Sequence, residues 1–297
     1  MLVFPIIHRI LEPLSPQTKF AAVGECIYCR RKPPEVSLTD EHIIADGLGG
    51  DLILPDASCH DCARVTGRFE QDILRHLLRQ PRGALGVRSR KKRQKQTSIT
   101  VNFADEGEPP EYREIPFEPG MPAFLMALVA DNPPGILRGA PKNEEWLGRI
   151  QVSTQADFTE RQINTGGPTS FRYGFRFHAG LFGQLIAKTC HAFAVAHLGV
   201  NGFKPFLTDY IRAHDPPFDS YHLASLTTGP YNDYLHEISL RQKFISSSTI
   251  IGIVSQEFYL VGWRMFGQLS GPLMMAVVGR PNGRVQPARS QGEPRAT

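Results

Sequence analysis

The sequence predicts a mixed α+β protein in which a small, metal-built module precedes a larger domain of unassigned role. Three observations predict it. Four of the five cysteines fall in two Cys-x-x-Cys pairs near the front of the chain. Strand-like and helix-like periodicities alternate behind them. A hydrophobic content of 41% over 297 residues supplies enough apolar surface for packed cores and excludes a wholly disordered chain. Composition divides the chain into a cysteine-bearing module over 20–78, a basic linker over 79–95, a mixed α+β domain over 96–279 and a Pro/Gly/Arg-rich tail over 280–297 expected to be disordered.

Taken in order, the opening MLVFPIIHRILEPLSPQTKF has no cationic leader and is interrupted by Pro5 and Pro13, so it makes a poor signal peptide. Within the module, EHII reads as a strand end, DGLGGD as a turn and LILP as a returning strand. SCHDCARVTGRFEQDILRHLL then reads as a helix opening at the second cysteine pair. Further on, TSITVNF (97–103), SFRYGFRFH from Ser170 and HEISL from His236 alternate as strands do. Pro122 to Ala130 reads as a short helix, and Phe182, Leu185, Ile186, Phe193 and Leu198 give helical spacing over Ala179 to Leu198. STIIGIVSQ, FYLVGW and PLMMAVVG predict an antiparallel meander. The apolar stretch from Ile250 to Val278 carries Gln256, Glu257, Arg264 and Gln268, which a bilayer span would not hold cheaply. The expectation is a soluble, cytoplasmic protein without a membrane partner, its oligomeric state open.

In a reducing compartment, clustered cysteines point to metal rather than to disulfides. Cys26-x-x-Cys29 and Cys59-x-x-Cys62 are separated by 29 residues. Each two-residue gap turns both sulfurs toward one point, and two such pairs supply the tetrahedral thiolate cage that zinc prefers. So small a segment buries little core by itself, so the metal would contribute its folding energy. Cys190 lies inside an apolar helical pattern and reads as core.

Between the cysteine pairs stands LTDEHIIADGLGG, where Asp40, Glu41 and His42 precede an apolar pair and a Gly-Gly turn. The order CxxC, EHI, LGG, CxxC over about residues 26–75 resembles the cysteine-flanked branch of the HNH endonucleases, whose fold is a zinc-stabilised ββα-metal unit. The resemblance implies a metal-dependent endonuclease that hydrolyses phosphodiester bonds in DNA. It implies His42 as general base and Glu41 as ligand to a catalytic Mg²⁺ or Mn²⁺, beside a structural zinc on Cys26, Cys29, Cys59 and Cys62. A neutral imidazole is a competent base for water near pH 7, and hard carboxylates suit a hard cation while thiolates suit zinc. The chain departs from the family pattern at Ala63, where members carry Asn or His just after the last cysteine, and in lacking an asparagine on the returning strand. Asp56, with Asp51, is the nearest polar substitute, and Glu70 lies two helical turns beyond Ala63 on a similar face. These departures keep a second reading open: a zinc-knuckle nucleic-acid-binding protein without catalysis.

The net charge of +4 permits nucleic-acid binding without requiring it, and the module itself carries seven basic against nine acidic residues between Cys26 and Arg79. Arg79 to Lys95 carries eight Lys or Arg and no acid. Arg88, Arg90, Lys91, Lys92, Arg93 and Lys95 are therefore the expected DNA-binding residues, as phosphate contacts that position without reading sequence.

Overall fold

The structure, a computed structural model, describes residues 9–11, 20–50, 52–87, 98–102, 108–116, 124–129, 132–153, 176–228, 248–254, 257–266, 269 and 271–282. Its elements in chain order are β1 (Arg9–Leu11), β2 (Leu38–His42), β3 (Ile53–Cys59), α1 (His60–His76) and α2 (Arg79–Ala84). Then come β4 (Ser98–Asn102), β5 (Tyr112–Pro116), β6 (Leu125–Val129), α3 (Gly135–Arg138) and β7 (Arg149–Ser153). The last third holds α4 (Ala179–Leu198), β8 (Phe203–Pro205), α5 (Thr208–Arg212), β9 (Leu223–Leu226), β10 (Ser248–Val254), β11 (Tyr259–Met265) and β12 (Leu273–Pro281). The protein is mixed α+β, with an N-terminal ββα module.

The module is the antiparallel hairpin β2–β3 followed without a break by α1, because Cys59 is both the last residue of β3 and the N-cap of α1. The hairpin pairs Glu41 with Leu54 and His42 with Ile53, and its register shifts between Thr39 and Glu41. Its connection is a 3₁₀ turn over Asp46–Leu48 closed by Gly49 at φ 77°, a left-handed conformation that glycine adopts at no steric cost. A Cβ on the next residue, Gly50, would overlap the carbonyl of Ile44, so the Gly-Gly pair is needed for two separate reasons. Arg82, on α2, donates to the carbonyls of Gly47 and Leu74, tying that turn to the end of α1. The buried Gln80 accepts from the Phe124 amide at 2.8 Å, so the start of the expected linker is packed structure.

The C-terminal meander forms as expected: β10, β11 and β12 are antiparallel neighbours in a sheet of order β1-β10-β11-β12-β8, and β9 also pairs with β12. β1 adds the start of the chain to this sheet through Arg9↔Val254. The strand expected in TSITVNF is β4, paired with β5. The helix expected over Ala179 to Leu198 is α4, buried on almost every face, as an all-round apolar helix should be.

One expectation is corrected. Within Pro122 to Ala130, residues Leu125–Val129 form strand β6, wholly buried and paired with β7, rather than a helix. A short unbroken apolar run carries no period to separate the two, and its five-residue length favours a strand. β12 runs beyond Gly279 to Pro281, pairing Arg280 with Lys204. The expected strand HEISL, residues 170–175 of SFRYGFRFH, and residues 283–297 of the tail lie outside the described residues, and residues 176–178 of SFRYGFRFH lead into α4 without forming a strand.

One apolar core runs through both regions. It joins Phe69 and Ile73 of α1 and Leu77 at its C-cap to Phe182, Ile186 and Phe193 of α4 and to Trp263 of β11. At about 1.5–3 kcal/mol per buried large side chain, these contacts bind the module to the C-terminal layer rather than leaving it on a tether. Among the described residues no helix is long and apolar enough to cross a membrane.

Candidate active site

The second cysteine pair sits where β3 turns into α1, with Cys59 at the cap and Cys62 in the first turn. The first pair forms a knuckle in which the Cys26 amide donates to the Arg31 carbonyl at 2.9 Å and the Arg30 amide to the Cys26 carbonyl at 2.8 Å. Arg30, at φ 68°, supplies the left-handed residue that closes it. The four sulfurs lie within 4.8 Å of one another, and Cys29 Sγ is 3.7 Å from Cys59 Sγ. A tetrahedron with Zn–S bonds of about 2.3 Å has edges of about 3.8 Å, so the cluster fits zinc. Without a cation the protons are shared unevenly among the sulfurs. A hydrogen bond from the Cys62 thiol brings Cys26 down to about 4, against the effect of burial, while that same bond pushes the Cys62 thiol up and burial pushes Cys59 up. Arg31 points its guanidinium at Cys29 Sγ (3.4 Å) and Cys59 Sγ (3.5 Å) while pairing with Asp61 at 2.8 Å. Zinc bound here would close all four positions and serve the fold, leaving none open for substrate.

The carboxylates expected to hold a second cation are occupied by an internal one. Lys188, on α4, places Nζ 2.8 Å from Glu41 Oε1 and 2.8 Å from Glu70 Oε1, and donates to the carbonyl of His42. Its side chain is 1% exposed, against 7% for Glu41 and 19% for Glu70. The ammonium therefore sits between two ion-paired carboxylates and hydrogen-bonds to a backbone carbonyl. Burial alone would lower the Lys188 ammonium, but the carboxylates of Glu41 and Glu70 outweigh it and hold it above the ordinary lysine value. One ammonium compensates only one of two carboxylates. Burial accordingly pushes Glu41 up, with Lys188 pulling back and Glu70 adding to the rise. The same burial and carboxylates keep the phenol of Tyr28 protonated.

This arrangement does not fit a divalent ion. A dication about 4 Å from the ammonium would be repelled by about 8 kcal/mol at an effective dielectric of 20. Mg²⁺ would also want six oxygens in a near-ideal octahedron. No catalytic step is therefore assigned to an ion held by Glu41.

Lys188 belongs to a polar stripe that the sequence reading passed over. Gln184, Lys188 and His191 recur at i, i+4 and i+7 on an otherwise apolar helix. Gln184 Nε2 donates to the carbonyls of Tyr210, Ile211 and Ala213. His191, brought down to about 4 by burial and hence neutral, donates Nε2–H to the Ile27 carbonyl at 2.9 Å. The spacing of three hydrogen-bonding side chains in an apolar helix was the signal available.

The other expected residues fall as follows. His42 ends β2, half-buried, and alternation along the strand turns it to the face opposite Glu41. Glu41 and Glu70 meet at Lys188, and the carbonyl of His42 joins them there. Asp56 is exposed, at φ 49°, in the irregular part of β3, and its carbonyl accepts from the Gly24 amide at 3.0 Å. Ala63 follows Cys62 in the first turn of α1. Arg88, Arg90, Lys91, Lys92, Arg93, Lys95 and Asp51 lie outside the described residues.

No curated protein and no solved structure matches the chain. Residues 26–80 match the HNH endonuclease family model, and this match spans both cysteine pairs, the β2–β3 hairpin and α1. This chain carries at its front an HNH-like module built around a four-cysteine cluster suited to a metal ion.

Proposed function

We propose that the module is an HNH-type endonuclease acting on phosphodiester bonds in DNA, with His42 as general base and zinc on Cys26, Cys29, Cys59 and Cys62 as the structural metal. The observation that carries this reading is the position of His42: it ends β2 inside a family-matched ββα unit and stays partly accessible beside buried Glu41. A neutral imidazole near pH 7 takes a proton from water. The water oxygen bonds to phosphorus as the bond to the 3′-oxygen breaks, and the departing oxygen keeps the electron pair and takes a proton from solvent. The ordinary route to stabilising that charge is a divalent ion. That role is not carried into this proposal for Glu41, because Lys188 already neutralises it.

The basic run to Lys95 is proposed as the phosphate-binding segment, since the module by itself carries more acid than base. The test is nicking of supercoiled plasmid by zinc-loaded protein beside His42→Ala. Loss of nicking in the mutant alone supports the assignment. Equal nicking by both proteins, or none by either with zinc bound, rejects it.

A further inference from the structure

We infer that Lys188 is the resident cation of the HNH-like site: its ammonium takes the place between Glu41 and Glu70 where a divalent ion would bind, and it positions the His42 backbone. The inference rests on the functional reading above for the meaning of the site, but its geometry stands without it. Two carboxylates from different elements, one on β2 and one near the middle of α1, converge on a single point. That is the convergence a cation site requires. The point is filled by Nζ at 2.8 Å from each. Nζ also donates to the carbonyl of His42, and the Ile43 carbonyl lies at 3.5 Å.

The origin of the cation matters as much as its position. Lys188 comes from α4, whose other faces pack on β11 and β12, so the charge is delivered by the C-terminal layer to the module. One turn further along α4, His191 holds the Ile27 carbonyl beside the first cysteine pair. A single helix thus fixes both the zinc knuckle and the Glu41–His42 strand end. The large C-terminal region thereby gains a role: it completes the electrostatics of a site that lacks the second ligand at Ala63. Lys188 is 1% exposed and does not reach substrate, so it is a positioning residue rather than a catalytic one.

The probe is Mn²⁺ alone, titrated into full-length, zinc-loaded protein and followed by loss of the free-ion electron paramagnetic resonance signal. The wild type is expected to take up no Mn²⁺ that Glu41→Gln removes. Lys188→Met, which empties the place of its ammonium at nearly the same volume, is expected to take up about one equivalent, lost again in the Lys188→Met, Glu41→Gln double variant. One equivalent bound by the wild type and lost in Glu41→Gln overturns the inference. Uptake by neither wild type nor Lys188→Met overturns it too, because the carboxylates would then form no cation site for Lys188 to fill. Should Lys188→Met fail to fold, the wild type beside Glu41→Gln decides alone: Glu41-dependent uptake refutes, its absence supports. The readout needs no cleavage, so absent nicking would sink the nuclease reading and leave this result standing.

Discussion

Replacing Lys188 by methionine isolates the ammonium, because the two side chains are of similar length and the change leaves the apolar packing of α4 nearly intact. Removing one partner of a buried charge pair costs about 3–5 kcal/mol, since the other partner is left desolvated. Here two carboxylates lose their common cation, with Lys188 1% exposed. The cost should depend on pH in a defined sense. Glu41 already sits above its ordinary value through burial, and without the ammonium that pulls it back it rises further. A carboxyl whose folded pKa is raised contributes stability in full below its unfolded value of about 4.3 and loses it as pH climbs toward the folded value. The penalty of Lys188→Met should therefore grow with pH, by up to about 1.4 kcal/mol per unit beyond any slope of the wild type. The charged side chains packed around Glu41 are Lys188 and Glu70, with Tyr28 held as a phenol. Urea unfolding of zinc-loaded protein at pH 6 and pH 8, followed by tryptophan fluorescence, reads the difference. A penalty below about 1 kcal/mol, or one equal at both pH values, would refute the reasoning.

Other outcomes follow from the same structure. Titrating the thiols with a mercurial should release one zinc per chain and should open the region around β2, β3 and α1 to proteolysis, since structural zinc contributes folding energy of the order of 10 kcal/mol. Gly50→Ala should destabilise by about 1–3 kcal/mol or more, because the added methyl overlaps the Ile44 carbonyl, and thermal unfolding would show it. If half of the eight charges between Arg79 and Lys95 neutralise phosphates, DNA affinity should fall with salt at a log–log slope of about −3.6. Exchanging Arg88, Arg90, Lys91, Lys92, Arg93 and Lys95 for glutamine should flatten that slope, as measured by fluorescence anisotropy.

What the sequence made legible is the part governed by local rules. Cysteine spacing placed the sulfur cluster, Gly49 and Gly50 marked the hairpin turn, and the apolar period of Ala179 to Leu198 gave α4 its bounds. Leu125–Val129 was misread because an apolar run of five residues has no period to reveal its conformation. Glu70 was a candidate from its face on α1, yet its partner was out of reach of any local argument: Lys188 lies 118 positions further along the chain. Only the packing of α4 against α1 brings them together. The function read from Glu41 by resemblance assumed an external cation, whereas the cation beside Glu41 and Glu70 is the ammonium of Lys188.

The most direct measurement is plasmid nicking in buffer stripped of divalent ions, by zinc-loaded wild type, His42→Ala and Glu41→Gln. The account predicts nicking by the wild type that stripping leaves in place and that His42→Ala abolishes. Nicking that appears only when Mg²⁺ or Mn²⁺ is added, and that Glu41→Gln removes, would contradict it and restore Glu41 as the ligand of a divalent ion.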